Sequence, residues 1–305
     1  MIELLTHTLP HGITLSCRAT GTVGRPVLMF LHGFPEAAFV WDDVLTHFAQ
    51  AGNGGFRCIA PNLRGYENSS APPDVAAYRP KHLVADIAAL IALEGGHLAA
   101  LVAHDWGGAV AWNLAASHPD LMDKLAIINS PHPGTFLREL QHSPAQQAAS
   151  AYMNFLIRPD VEALLAEDDF RRLWVFFDQW SAGASPEWLT PAVKDQYRAV
   201  WSQGLTGPLN FYRASPLRPP RPGEPHNDPA AAGVTIPRHM LEVHLPTLVL
   251  WAMNDTALPP ALLDGLYDFV PHLQLQRIED ASHWVLHEQP ERVIGALKAF
   301  VQSAP

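Results

Sequence analysis

The chain has 305 residues, of which 48% are hydrophobic and 16% charged, so it can bury a full core without disulfides or metals. Its 20 basic and 30 acidic residues give a formal net charge of −10, which argues against nucleic acid or an anionic membrane as the main partner. No stretch approaches about 18 uninterrupted apolar residues, and the N-terminus lacks a signal-peptide pattern, so a cytoplasmic protein without a membrane span is expected. The two cysteines, Cys17 and Cys58, have no metal-ligand spacing and are expected to be buried free thiols.

Short apolar runs alternate with helical patterns over residues 1–130. Residues 2–9 and 12–19 are typical of a hairpin. Further apolar runs predict buried strands at 26–31, 58–60, 98–103 and 125–129. Helical spacing at 81–93 and 107–117 separates some of these runs. The alternation predicts an α/β fold with a mostly parallel, doubly wound sheet.

A long helical insertion interrupts this alternation. It is rich in aromatic residues and contains a proline-dense segment at 216–237, which is expected to be a surface excursion. The alternation resumes with strands at 247–251 and 273–277 and a helix at 291–301. The predicted organisation is a core domain of residues 1–131 and 244–305, with a helical lid inserted at 132–243.

Asp105 lies between a buried strand and a helix, in the run Ala103-His104-Asp105-Trp106-Gly107-Gly108. Small residues two positions before and after Asp105 allow a sharp strand–turn–helix corner that raises the middle side chain above the sheet. An aspartate at this corner predicts a nucleophile that forms an ester of its own carboxylate. The alternative is that Asp105 only caps the following helix.

The run His32-Gly33-Phe34-Pro35-Glu36 directly follows another buried strand. Its turn can direct the backbone N–H of Phe34 into the space above the sheet, where it would form an oxyanion hole with the N–H of Trp106. An ordinary strand-ending turn is an equally good interpretation. His32 is expected to support the site by hydrogen bonding, and Glu36 only to favour the start of a helix.

Asp255 and His283 follow the last two predicted strands, and the carboxyl ends of parallel strands surround the active crevice. The chain order of nucleophile, acid and base would then be Asp105, Asp255 and His283. Asp280 and Glu279 are rival acids, but Asp255 fits the order better.

In an ordered set of motifs spanning nearly its whole length, the chain resembles the α/β-hydrolase-fold epoxide hydrolases: His-Gly-Phe-Pro at 32–35, Arg-Gly-Tyr at 64–66, His-Asp-Trp-Gly-Gly at 104–108, Asn254-Asp255 and Ser282-His283. The resemblance implies that two lid tyrosines, Tyr152 and Tyr212, donate hydrogen bonds to the epoxide oxygen. Tyr197 also falls in the lid. Pro35, Trp106 and Phe155 are expected to contact the substrate. The implied partners are a small apolar epoxide and water, with no metal or cofactor, and a homodimer is left open.

Other hydrolases of this fold remain alternatives. Fluoroacetate dehalogenases carry arginines where this chain has Trp106 and Ala109, and haloalkane dehalogenases usually carry asparagine in place of Phe34. Trp106 is compatible with halide binding, so a dehalogenase using the same triad is the second interpretation. A serine esterase would need serine at position 105. A non-catalytic binding protein is disfavoured because binding alone does not require Asp105, Asp255 and His283 together.

Overall fold

The computed structural model describes residues 1–181, 186–221 and 230–303. Its sheet contains β1 (Glu3–Thr8), β2 (Thr14–Thr20), β3 (Val27–Leu31), β4 (Arg57–Pro61), β5 (Ala100–His104), β6 (Leu125–Ile128), β7 (Thr247–Ala252) and β8 (Leu273–Ile278). The strand order is β1-β2-β4-β3-β5-β6-β7-β8. Strand β2 pairs antiparallel with β1 and β4, and all other neighbours are parallel. The predicted mostly parallel α/β sheet is therefore confirmed.

Two apolar cores cover the two faces of the sheet, because alternate side chains of each strand point to opposite sides. In β3, Met29 and Leu31 belong to one core, and Leu28 and Phe30 to the other. Strands β3 to β7 are buried along their whole length, as their continuous apolar runs predict. Strand β8 instead alternates between more exposed and less exposed residues over most of its length, because it lies at the edge of the sheet.

The α-helices are α1 (Asp42–Ala49), α2 (Pro80–Leu93), α3 (Asp105–Ser117), α4 (Pro133–His142), α5 (Pro144–Ala149), α6 (Tyr152–Leu156), α7 (Val161–Trp180), α8 (Pro191–Trp201), α9 (Thr206–Ala214), α10 (Val285–Glu288) and α11 (Pro290–Gln302). Short 3-10 helices span Ala38–Trp41, Ala51–Asn53, Val75–Tyr78, Pro119–Leu121, Ala230–Gly233, Arg238–Met240, Pro260–Leu263 and Leu266–Asp268. Helices α2 and α3 pack in the core that contains Met29, and α1 and α11 in the core that contains Phe30. None of the described helices has the length and hydropathy needed to cross a bilayer.

The two cysteines lie on neighbouring strands, Cys17 on β2 and Cys58 on β4. Both are buried and free, as predicted. Burial raises the pKa of each thiol to about 12, which keeps both protonated and unreactive.

Helices α4 to α9 lie between β6 and β7, within the stretch predicted to be the lid, and are called the lid below. Much of the aromatic content of this region packs within the lid, as in the contacts of Phe177 with Tyr197 and Trp201. Phe177 also contacts Trp284, with ring centroids 4.4 Å apart. Helix α7 is interrupted at 167–170, where three residues have positive φ. The domain boundaries at 131 and 244 remain a prediction.

The lid and the rest of the molecule meet at a backbone contact between Gly65, which follows β4, and Gly207 in α9. A Cβ at Gly65 would lie 2.7 Å from the Cα of Gly207, and one at Gly207 would lie 2.4 Å from the Cα of Gly65. Gly65 also has a φ of 92°, which favours glycine. No side chain fits at this seam.

The proline-dense segment 216–237 is described except for residues 222–229. Its described flanks lie partly at the surface, as expected, since Pro216, Gly233 and Pro237 are exposed. Leu217, Val234 and Ile236 pack against an apolar cluster formed by Leu137, Leu140 and Ala231. The reason is that apolar side chains placed between the prolines can bury themselves against helix α4.

Candidate active site

Asp105 lies where β5 meets α3, in a backbone conformation that residues other than glycine rarely adopt. Its φ is 49°, and α3 begins at this residue. A Cβ at Gly107 would lie 2.5 Å from the carbonyl oxygen of Leu31, and one at Gly108 would lie 2.3 Å from the Cβ of Ser130. Both glycines thus allow α3 to start close to the ends of β3 and β6, and the sharp turn raises Asp105 above the sheet.

The two carboxylate oxygens of Asp105 have different surroundings. Oδ1 accepts a 2.7 Å hydrogen bond from the backbone N–H of Phe34, while Oδ2 lies 3.7 Å from Nε2 of His283. The Ser130 hydroxyl donates to the Asp105 backbone carbonyl at 2.6 Å and so holds the turn. Within the described part of the chain, the N–H of Trp106 makes no hydrogen bond to this carboxylate. Its part in an oxyanion hole therefore remains a prediction.

Asp255 holds His283 in a network of hydrogen bonds at the carboxyl ends of the strands. Nδ1 of His283 lies 2.7 Å from Oδ2 of Asp255, which also accepts a 2.9 Å bond from the side-chain amide of Asn129. Oδ1 accepts from the backbone N–H groups of Ala257 and Leu258, both at 2.9 Å. With four donors around it, the buried Asp255 carboxylate is fixed in one orientation. Nδ1 of His283 therefore carries a proton, and Nε2 is directed toward Asp105.

The two rival acids lie away from this network. Asp280 pairs with Arg292 at 2.7 Å on the surface, where the Asp280 side chain is 69% exposed. Glu279 is also exposed.

The charges around His283 hold a proton on its ring. Burial alone would lower the pKa of His283, but the charge and hydrogen bond of Asp255, followed by the charge of Asp105, raise it to about 9. At neutral pH a protonated imidazole therefore faces the Asp105 side chain. Removing the charge of Asp105 would remove one of the influences that raise this pKa.

A cavity of about 210 Å³ lies between the lid and the Asp105 carboxylate. Asp105 and Trp106 line it from below, and Tyr152 and Tyr212 from the lid. The other walls are mostly apolar and include Phe136, Met153, Leu217, Val234, Ile236 and Leu258. The two tyrosine rings lie 6.2 Å apart at 80°, and the Tyr212 ring lies 5.0 Å from that of Trp106.

Both cavity tyrosines are held in the protonated form. Burial, followed by the negative charges of Asp105 and Asp255, raises the pKa of Tyr152 well above its ordinary value, against a smaller opposing effect of the Tyr212 hydroxyl. For Tyr212, burial is again the largest cause, and Tyr152 and Asp105 add to it, while the neighbouring Trp106 side chain opposes it. Each phenol is thus protonated at neutral pH and can donate a hydrogen bond.

Of the three residues expected to contact substrate, only Trp106 lines this cavity. Pro35 follows a cis peptide bond from Phe34, and its carbonyl accepts a 2.7 Å bond from the indole N–H of Trp201. Phe155 packs in the lid against the core. Substrate contact by Pro35 and Phe155 therefore remains a prediction that the cavity lining does not support.

Glu36 has a role that the sequence did not reveal, since it is fully buried beside the site. Its Oε1 accepts a bond from the Tyr197 hydroxyl and lies the same 2.7 Å from Nε2 of His287, and its Oε2 is 3.4 Å from Nδ1 of His104. Burial would raise the pKa of this carboxyl, but its histidine partners lower it below the ordinary value, so Glu36 is ionised. The hydroxyl of Tyr197, the third tyrosine of the lid, is thus hydrogen-bonded to Glu36. Glu36 lies two residues after Phe34, at the edge of the sheet where Asp105, Asp255 and His283 meet. This position in the sequence could have indicated that Glu36 is buried beside the site.

His32 supports the loop that carries Phe34. Its Nε2 accepts the backbone N–H of Leu63 at 3.1 Å, and Nδ1 donates to the Gly33 carbonyl at 3.0 Å. Burial lowers the pKa of His32 to about 4, which keeps the ring neutral. The geometry agrees with the expected supporting role.

Residues 26–290 match the family model of the alpha/beta hydrolase fold. The chain belongs to the α/β-hydrolase fold family. Its similar proteins include named epoxide hydrolases. A mouse protein named epoxide hydrolase 4 is 31% identical over 297 residues, which cover 95% of this chain and 77% of the relative.

Two further comparisons agree. The Bacillus subtilis AB hydrolase superfamily protein YfhM is 34% identical over 285 residues, covering 92% of this chain and 91% of that protein. A solved structure described as a novel epoxide hydrolase of the superfamily, from metagenomes of hot environments, is 38% identical and superposes with a TM-score of 0.86 over 100% of both chains. The resemblance to epoxide hydrolases drawn from the sequence motifs is thereby confirmed.

Proposed function

We propose that this chain hydrolyses an epoxide to a vicinal diol through a covalent ester of Asp105. The observation that carries the proposal is the arrangement of two protonated phenols, Tyr152 and Tyr212, in the same cavity as the Asp105 carboxylate. An epoxide opens to an alkoxide, a poor leaving group that needs a hydrogen-bond donor beside it. The epoxide hydrolases among the relatives support the same activity.

In the first step the Tyr152 and Tyr212 hydroxyls bind the epoxide oxygen, and Asp105 attacks a ring carbon from the opposite side. The attacking atom is Oδ2, since Oδ1 is already held by the N–H of Phe34. A carbon–oxygen bond forms to Oδ2, the ring carbon–oxygen bond breaks, and a tyrosine proton moves to the alkoxide.

The second step is hydrolysis of this ester by water. The ester no longer carries the charge of Asp105, so the pKa of His283 falls and Nε2 becomes able to take a proton from water. The N–H of Phe34 then stabilises the oxyanion on Oδ1, and a second donor at Trp106 would add to it. Such a donor contributes about 3 kcal/mol, as known from a protease. The ester carbon–oxygen bond then breaks, the diol leaves and the Asp105 carboxylate is restored. The proton that His283 took from water returns through solvent to the tyrosinate, so the resting state is regained.

A dehalogenase using the same triad is the second candidate, since Trp106 lines the cavity. Phe34 argues against it, because haloalkane dehalogenases usually carry a halide-contacting asparagine at that position. A clamp for a haloacid carboxylate is absent at 106 and 109, as the sequence already indicated.

The deciding assay measures diol formation from aryl and alkyl epoxides beside halide release from haloalkanes and haloacetates. The Asp105→Asn variant is the control, because it keeps the shape of the site and lacks the nucleophile. Diol formation that requires Asp105 supports the proposal. Halide release without diol formation would show that the chain is a dehalogenase and would contradict the proposal.

A further inference from the structure

His283 lies in a short irregular segment between the end of β8 at Ile278 and the start of α10 at Val285. Asp255 holds the His283 ring at Nδ1, and Nε2 of His104 donates to the His283 backbone carbonyl at 3.1 Å. These contacts leave the neighbouring backbone of the segment to be fixed by other groups. The position of the imidazole above the sheet therefore depends on how that backbone is held.

Glu288, the last residue of α10, is hydrogen-bonded to this segment. Its Oε2 accepts a 2.7 Å bond from the backbone N–H of Ser282, and its Oε1 accepts a 2.6 Å bond from the Ser282 hydroxyl. The oxygen of that hydroxyl also accepts the backbone N–H of Trp284 at 3.3 Å. One carboxylate thus holds both neighbours of His283, one directly and the other through a hydroxyl group.

The side chain of Glu288 serves this segment alone among the described residues. Within those ranges both of its hydrogen bonds go to Ser282, and it forms no ion pair. Ser282 is only 2% exposed and His283 only 1%. Without Glu288 the buried N–H and hydroxyl of Ser282 would lack an acceptor, so the segment would shift to regain one.

Such a shift would change the position of the imidazole more than its charge. The charges that raise the pKa of His283 are those of Asp255, Asp105 and Glu36. Nε2 of His283 lies 3.7 Å from Oδ2 of Asp105. A displacement of about 1 Å at a reacting centre can cost about a hundredfold in rate. A movement of the segment therefore affects His283 through its distance from Asp105.

We propose that Glu288, acting through Ser282, is a positioning residue that holds His283 where its Nε2 can reach the water that cleaves the ester. This inference rests on the proposed function, in which His283 takes part in ester hydrolysis and not in ring opening. Loss of the Glu288 carboxylate is therefore expected to slow the second step selectively. A residue needed only for folding would instead reduce both steps by the same factor.

The test measures the two steps separately in Glu288→Ala. Rapid-quench single turnover with an epoxide, followed by intact-protein mass spectrometry, gives the rates at which the Asp105 ester forms and disappears. We expect ester formation to change by less than about twofold and ester hydrolysis to slow by about 10- to 100-fold, so that the ester accumulates. Ser282→Ala should slow the same step, and the double variant should be no slower than Glu288→Ala, since the two residues act as a unit.

Two further variants control for folding. Glu288→Gln keeps the shape of the side chain and one acceptor oxygen, so it should recover part of the ester-hydrolysis rate and provides the measurement where Glu288→Ala fails to fold. Glu291→Ala removes an exposed glutamate in the first turn of α11 and should leave both rates unchanged.

The outcomes separate this inference from the proposed function. Wild-type rates for both steps in Glu288→Ala, or equal slowing of both, would overturn the positioning role and leave the proposed epoxide hydrolysis standing. If neither the wild type nor His283→Gln forms an Asp105 ester with any epoxide, the proposed function fails, and the positioning role fails with it.

Discussion

Nε2 of His283 lies 3.7 Å from Oδ2 of Asp105, too far for a direct hydrogen bond but aimed at the carboxylate. In the described part of the chain this nitrogen is buried and has no hydrogen-bond partner. The imidazole is thus placed beside the Asp105 carboxylate without being bonded to it, which suits the proposed role of a base that acts on a water molecule after the ester has formed.

Replacing the base should separate the two chemical steps. In His283→Gln, ester formation should proceed while its hydrolysis slows by at least about a hundredfold, because no group is left to take the proton from water. Intact-protein mass spectrometry after mixing with an epoxide should detect the Asp105 adduct, and peptide mapping should place it. Normal steady-state turnover by this variant would remove His283 from the role of base.

The cavity tyrosines should govern ring opening. Tyr152→Phe and Tyr212→Phe should each slow ester formation about 10- to 100-fold, since each loses a hydrogen bond to a developing alkoxide, and the double variant should have no detectable activity. Rapid-mixing fluorescence or quenched-flow measurement of ester formation tests this.

The third lid tyrosine provides the matched control. Tyr197→Phe removes a donor to the buried Glu36 carboxylate, so it should lower the free energy of unfolding by about 1–3 kcal/mol and change ring opening much less. If Tyr197→Phe slows ring opening as strongly as Tyr212→Phe, the distinction between cavity and lid-core tyrosines is lost.

The proton on His283 should make stability depend on pH. The pKa of His283 is raised in the folded protein to about 9, so the folded state binds this proton more tightly than the unfolded chain, where a histidine titrates near about 6.5. Its stabilising contribution is therefore complete below about pH 6.5 and is lost as the pH rises through about 9. Chemical denaturation of wild type and His283→Gln across this range should give a stability difference that shrinks by about 1–3 kcal/mol.

An exposed histidine serves as the control. His244→Gln changes a side chain that is 68% exposed and should follow the pH profile of the wild type. If wild type and His283→Gln lose the same free energy of unfolding as the pH rises, the pH dependence comes from other groups.

Gly33 should be indispensable because it lies against the Asp105 side chain, the proposed nucleophile. A Cβ there would be 2.3 Å from both the Cβ and Oδ1 of Asp105, so Gly33→Ala must displace the carboxylate or the Phe34 loop. We expect a loss of kcat of at least about a hundredfold, as for small displacements at a reacting centre. Gly295→Ala meets nothing within 4 Å and lies inside α11, so it should stabilise the fold by about 0.5–1 kcal/mol and leave kcat unchanged. Full activity of Gly33→Ala, measured beside that control, would contradict the tight packing.

Much of this molecule follows from local sequence patterns. The continuous apolar runs predicted the buried parallel strands, because only a sheet covered on both faces accepts them. The positions of Asp255 and His283 after successive strands predicted that they would meet Asp105, and the three side chains do lie together in the structure.

What the sequence missed depends on contacts between distant segments. Glu36 reads as a surface residue at the start of a helix, and only the approach of Tyr197 and His287 from other parts of the chain makes it a buried anion. The packing of three side chains of the proline-dense segment was missed for the same reason, since proline content alone does not tell whether Val234 and Ile236 face solvent or a cavity.

The backbone contact between Gly65 and Gly207 restricts sequence variation in one part of the lid more than in another. Because two backbones touch there, the seam admits no sequence variation and fixes α9, and with it Tyr212, relative to the sheet. Another part of the cavity wall is made of side chains, among them Leu217, Val234 and Ile236, and does not depend on a contact between two backbones. A change of substrate shape, by selection or in the laboratory, is therefore expected to come from the wall side chains. The Gly65–Gly207 contact would keep Tyr212 in the same position relative to Asp105 while those side chains vary.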